Sequence, residues 1–100
     1  MEIYTPAFNR ITDLLKTPIL EFIGENIVVD SEDVNKFVLT LKEEHREEKD
    51  YNLIEFTYSY PYSQQVQDLL VDLIRRCIID QTDEGYTLSS YGLSLIGNDL

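Results

Sequence analysis

The stretch IIDQTDEGYTLSSYG, residues 78–92, decides how the chain is read. Ile78-Ile79 and Tyr86-Thr87-Leu88 are β-favouring runs that flank DQTDEG, whose Asp-Glu-Gly supplies a turn. The reading is a β-hairpin. Ser89 or Ser90 then caps a short helix containing Leu93, Leu95 and Ile96, and Gly97-Asn98 stops it. The hairpin carries Asp80, Asp83 and Glu84 and no Lys or Arg.

Upstream of the hairpin, Ser63 caps a strongly amphipathic helix. Val66, Leu69, Leu70, Leu73, Ile74 and Cys77 supply its buried face. Gln64, Gln65, Gln67, Asp68, Asp72, Arg75 and Arg76 supply the outer one. Before it, YNLIEFTYSY (51–60) alternates, with Ile54, Phe56, Tyr58 and Tyr60 on one side, and predicts a strand ended by Pro61, with helical extension through part of it as the alternative. Val34, Phe37, Val38 and Leu41 predict a helix opened by Asp30-Ser31-Glu32-Asp33 and fraying in the charged run KEEHREEKD (42–50). A short β-branched run, Ile27-Val28-Val29, precedes it. At the amino end, Thr5-Pro6 opens a helix whose stripe is Phe8, Ile11, Leu14 and Leu15, continued by Ile19, Phe22 and Ile23. Thr17-Pro18 predicts a break or kink in it, and Gly24 a stop.

Two segments resemble winged-helix domains of the broad MarR and PadR type. LLVDLIRRCII (69–79) is similar to that family's L-x-x-L-x-x-x-G-L-I, through Leu70, Leu73, Cys77, Ile78 and Ile79. YTLSSYG (86–92) is similar to its Y-x-L-T-x-x-G, through Tyr86, Leu88, Ser89 and Gly92. The YPYS before the third helix resembles a variant aromatic-Pro-aromatic-Ser turn. The resemblance spans about residues 30–97 and implies an α+β fold: a winged helix-turn-helix-like domain, residues 1–100, with an extra N-terminal helical segment and a C-terminal hairpin wing. Most matching positions are core positions, so the resemblance speaks for fold more than function. The sequence departs from the family in two places. Cys77 stands where the family has a glycine at a left-handed helix end. The basic residues of the wing are absent, and residues 63–100 hold six acids against two bases.

Length and composition set the outer bounds. A chain of 100 residues, 43% hydrophobic, is long enough for one core. Nineteen acids against eight bases give a net charge of −11, which repels nucleic acid and anionic membranes and favours basic partners. One cysteine precludes an internal disulfide and a multi-cysteine zinc site. No signal peptide and no apolar run of membrane-spanning length is visible, so a cytoplasmic protein is expected.

The chemistry-bearing residues are few. His45, the single histidine, lies in the charged run, where rigid positioning for acid–base catalysis is not expected. Cys77 is expected to be a buried, inert thiol. Glu44, His45 and Glu48 match no metal-ligand spacing. No enzyme activity, cofactor or metal is expected. The expectation is a protein-interaction module, an acidic adaptor or subunit of a regulatory or nucleic-acid-processing assembly. It would dock through Tyr51, Phe56, Tyr58, Tyr60 and Tyr62, with acidic faces steering a basic protein partner. The alternative is a dimeric DNA-binding transcription regulator. The resemblance would place the third helix in the major groove, with Gln64, Gln65 and Gln67 at base edges and Arg75 and Arg76 at phosphates. A further alternative is an acidic inhibitor seated in the groove of a DNA-binding protein.

Overall fold

In the computed structural model, which describes residues 6–57 and 62–97, the fold is α+β: four helices and a two-stranded antiparallel hairpin. The helices are α1 (Pro6–Asn26), α2 (Ser31–Glu44), α3 (Gln64–Arg75) and α4 (Ser90–Gly97). The strands are β1 (Ile79–Thr82) and β2 (Gly85–Leu88), paired from Ile79 with Leu88 to Thr82 with Gly85. Thr5, Tyr58, Tyr60, Pro61 and Asn98 fall outside the described residues.

Helix α1 runs unbroken through Pro18, so of the break or kink predicted at Thr17-Pro18 the break is not formed. A proline inside a helix costs about 3 kcal/mol through its missing N–H and its ring clash. Ile11, Leu15, Ile19, Leu20 and Ile23 are all buried on the same core. Each such side chain contributes about 1.5–3 kcal/mol, so burial on both sides of Pro18 outweighs the local cost. Nor does the helix stop at Gly24. It continues to Asn26, and Ile27 takes the left-handed position beyond it, at φ 68°. The run Ile27-Val28-Val29 yields one bridge rather than a strand: Val29 exchanges backbone hydrogen bonds with Tyr86, 3.1 and 2.6 Å long. That bridge places Val29 on the side of β2 opposite β1.

The predicted start of α2 is present. Asp30 caps it, accepting from the Asp33 N–H at 2.8 Å, while the Asp33 carboxylate accepts from the Asp30 N–H. The helix ends at Glu44, where the charged run begins to turn. The strand predicted over 51–60 is not formed in its described part. Tyr51–Leu53 is a single 3₁₀ turn and residues 54–57 pair with no strand. Its backbone is satisfied by side chains instead: Gln65 holds Leu53 and Glu55, and the Lys42 ammonium donates to the Ile54 carbonyl.

Helix α3 begins at the Ser63 cap as predicted and buries Val66, Leu69, Leu70 and Leu73. Cys77 does not belong to that face. It is exposed, lies beyond the helix and has φ 60°. The Cys77 N–H donates to Ile74 and the Ile78 N–H to Leu73, the paired bonds of a Schellman end with cysteine where glycine is favoured. Asp72 is also not on the outer face. It is 2% exposed, and a buried carboxylate must be paired. Arg76, one turn later, meets it at 2.9 Å.

Gly85 closes the hairpin at φ 139°, and a Cβ there would collide with the Val29 carbonyl. Ser89 caps α4, accepting from the Gly92 N–H at 3.0 Å while its hydroxyl donates toward the Cys77 and Ile78 carbonyls. Two substitutions should therefore move stability in opposite directions in urea unfolding. Cys77→Gly should stabilise by about 1 kcal/mol through release of the left-handed strain. Gly85→Ala should destabilise by more than about 1 kcal/mol, because strain is added to the loss of the Val29–Tyr86 bridge.

Candidate functional site

The start of α3 is anchored from below. Ser63 is 1% exposed and donates its N–H to the Asn35 side-chain carbonyl at 2.8 Å. This fixes the direction in which Gln64, Gln65 and Gln67 leave the helix. Two of the three are engaged within the fold. The Gln65 amide donates to the Leu53 carbonyl (2.8 Å) and accepts from the Glu55 N–H (2.7 Å), clasping the segment before Thr57. Gln67 accepts from the Ser31 hydroxyl (2.9 Å) and donates to the Tyr86 hydroxyl (3.2 Å). Gln64 is exposed and lies between the Tyr62 hydroxyl and the Asp68 carboxylate. The remainder of the outer face holds exposed Val71, Arg75 and Arg76, with Arg76 drawn back to Asp72.

The aromatic residues part company. Tyr51 is buried at 7% exposure and stacks on His45, ring centroids 4.5 Å apart, so it serves the core and not an outer surface. Burial pushes its phenol pKa up, and the negative charge of Glu48 pushes the same way. Glu48 also meets His45 Nδ1 at 2.6 Å. Phe56 and Tyr62 are half-buried. Phe56 separates two shallow hollows: one of about 330 Å³ toward Thr57, Tyr62, Gln64 and Gln65, the other of about 540 Å³ toward Leu39, Lys42, Arg46 and Asn52. The Lys42 ammonium lies 5.9 Å from the centre of the Phe56 ring. The Thr57 N–H donates to the Tyr62 carbonyl at 2.9 Å, so Phe56 and Tyr62 are held close. Tyr58 and Tyr60 lie outside the described residues.

Two acid-bearing segments meet across the chain. Gly85 sits against the backbone of Val29 and Asp30, which puts the hairpin turn beside the first turn of α2. Asp83 and Glu84 from the turn, and Asp30, Glu32 and Asp33 from α2, are all exposed there. Lys36 responds to the acids at the start of α2. Its pKa is raised by its hydrogen bond and 3.0 Å ion pair with Glu32, and further by the charges of Asp33 and Asp30. Sequence reasoning noted both acidic segments but not their meeting. The long-range signal was Gly85 itself, needed where two backbones touch.

Among the described residues, no three His, Cys, Asp or Glu side chains gather as metal ligands would, and no helix is long and apolar enough to cross a membrane. His45 is engaged with Tyr51 and Glu48. No family model, curated protein or solved structure matches the chain.

Two outcomes test this geometry. Gln65→Ala should cost about 1–3 kcal/mol in urea unfolding, since it strips partners from two backbone groups of the 53–55 segment. It should also speed proteolysis there. The Tyr51 shift sets a pH dependence. A phenol with a folded pKa above its unfolded value of about 10 stabilises the fold at lower pH. That contribution is lost as pH rises through the folded pKa. Thermal melts should fall above about pH 10, and Tyr51→Phe should flatten that part of the curve.

Proposed function

We propose that the chain is a non-enzymatic, winged-helix-like docking module whose acidic face receives a basic protein surface. The order of α1, the Val29 bridge, α2, α3, the hairpin and α4 supports the winged-helix reading. The connection between α2 and α3, residues 45–63, is much longer than the turn of about 3–4 residues in a helix-turn-helix. It carries Phe56 and Tyr62, beside which α3 begins.

The observation that carries the proposal is the backbone junction of the hairpin turn with the start of α2, an acid-rich face with Asp83 and Glu84 exposed on one segment and Asp30, Glu32 and Asp33 exposed on the other. Such a face accelerates encounter with cations and repels phosphates. The state of α3 supports the same choice. Affinity for DNA rests on phosphate contacts, and Arg76, just past α3, is drawn back to the buried Asp72 while Asp68 lies on the helix with Arg75. Base reading needs free amides, and those of Gln65 and Gln67 already hold the fold together.

Fluorescence anisotropy tests the proposal with two probes, a labelled Lys/Arg-rich peptide and a labelled random-sequence duplex, each at low and physiological salt. The peptide should bind, more weakly in salt. The triple variant Asp30→Asn, Asp83→Asn, Glu84→Gln keeps a capping residue at 30 and should weaken binding by about tenfold, near 1.4 kcal/mol. Salt-sensitive binding of the duplex, with the peptide inert, would overturn the proposal in favour of a DNA-binding regulator.

A further inference from the structure

A second surface carries a different signal. Helix α4, SYGLSLIG, contains no ionisable side chain other than the Tyr91 phenol, in a chain of net charge −11. It packs on α1 and β2 and leaves Leu93 55% exposed. Beside Leu93, the end of α1 projects Ile27, 79% exposed. Between them lies a hollow of about 260 Å³, lined by Ile23, Gly24, Ile27, Thr87, Leu88 and Leu93. None of these six residues is charged. Gly24 keeps the hollow's wall low, since a Cβ there would crowd Leu88 and Ile96.

Ile27 is disfavoured twice where it stands. Its side chain meets water, and its backbone is left-handed at φ 68°, which costs a residue other than glycine about 1–2 kcal/mol. For a β-branched residue this conformation is an outlier. Asparagine or glycine would relieve both penalties at a helix end.

We propose that this face joins two copies of the chain about a twofold axis, with Ile27 of each copy seated in the hollow of the other. Two molecules of charge −11 repel wherever their acids meet. An uncharged face is where like-charged copies approach at least cost. A basic partner would find no carboxylate in the hollow to pair with. A projecting side chain next to a hollow is also self-complementary, as a twofold interface requires, because the same patch supplies knob and socket. Glu25 and the rest of the acidic surface then oppose association from outside the contact, and salt should strengthen it.

This interface is independent of the acidic docking face, and salt separates the two, since docking of a basic peptide weakens in salt while pairing strengthens. The test is sedimentation equilibrium on the full chain, from low micromolar to millimolar protein, in dilute buffer and in half-molar salt. A monomer–dimer equilibrium is expected, shifted toward dimer by salt. Ile27→Asn should weaken it by at least about tenfold while leaving the thermal midpoint of the monomer unchanged or higher. Leu93→Ser, which disturbs no backbone, should weaken it as well. A monomer under every condition, a dimer that salt dissociates, or a dimer indifferent to both substitutions would each overturn the proposal.

Discussion

A buried asparagine sets the frame of this molecule. Asn35 is 1% exposed, in the interior of α2, where a polar amide is costly unless every bond is made. Its carbonyl accepts from the Ser63 N–H, and its amide donates to the Ser31 carbonyl and hydroxyl. The Ser31 hydroxyl passes the connection to Gln67, and Gln67 passes it to Tyr86. One polar chain therefore links α2, the cap of α3 and the middle of β2. Apolar packing would tolerate small slides among these elements, whereas a buried hydrogen-bond chain does not. The same chain consumes the Gln67 amide and, through Ser63, orients Gln65 toward the 53–55 segment.

The electrostatic character of the surface follows from that frame. With α2 pinned to β2 through Gln67 and Tyr86, the Val29–Tyr86 bridge brings the start of α2 against Gly85. Acid-bearing segments about fifty positions apart in sequence thereby lie side by side. Lys36 partners Glu32, and at this exposed position the pair contributes little stability. The opposite character, an uncharged hollow, lies where α1 and α4 meet.

The helices were legible because their signals are local. The Asp30 and Ser63 caps, and the apolar spacing from Val34 to Leu41 and from Val66 to Leu73, each act within a few residues. The hairpin was legible for the same reason, since its turn and both strands lie within ten residues. The alternation in 51–57 misled because it satisfies its backbone through Gln65 and Lys42 rather than a neighbouring strand. No period in the sequence marks that substitution. Pro18 misled because the decisive term was burial along the rest of α1. Of the site residues, Tyr51 read as surface and proved to be core, since its place depends on a stack with His45 across the turn. The fates of Gln65 and Gln67 depend on partners from ten to thirty-six positions away. A side chain's type shows what it can bond, and only the fold shows what it does bond.

The closure between Thr57 and Tyr62 bears on how this chain can change in length. The backbone departs at one residue and returns at the other, and the two are tied by a hydrogen bond. On one side Gln65 and Lys42 moor the segment; on the other Ser63 is already locked to Asn35. Residues added between positions 57 and 62 would enter between these moorings rather than within a helix. The entropy of closing a longer excursion rises by only about 0.6 kcal/mol for each doubling of its length. This is therefore the place where related chains could diverge in length, and where a foreign peptide could be grafted, while the helices on either side keep their register.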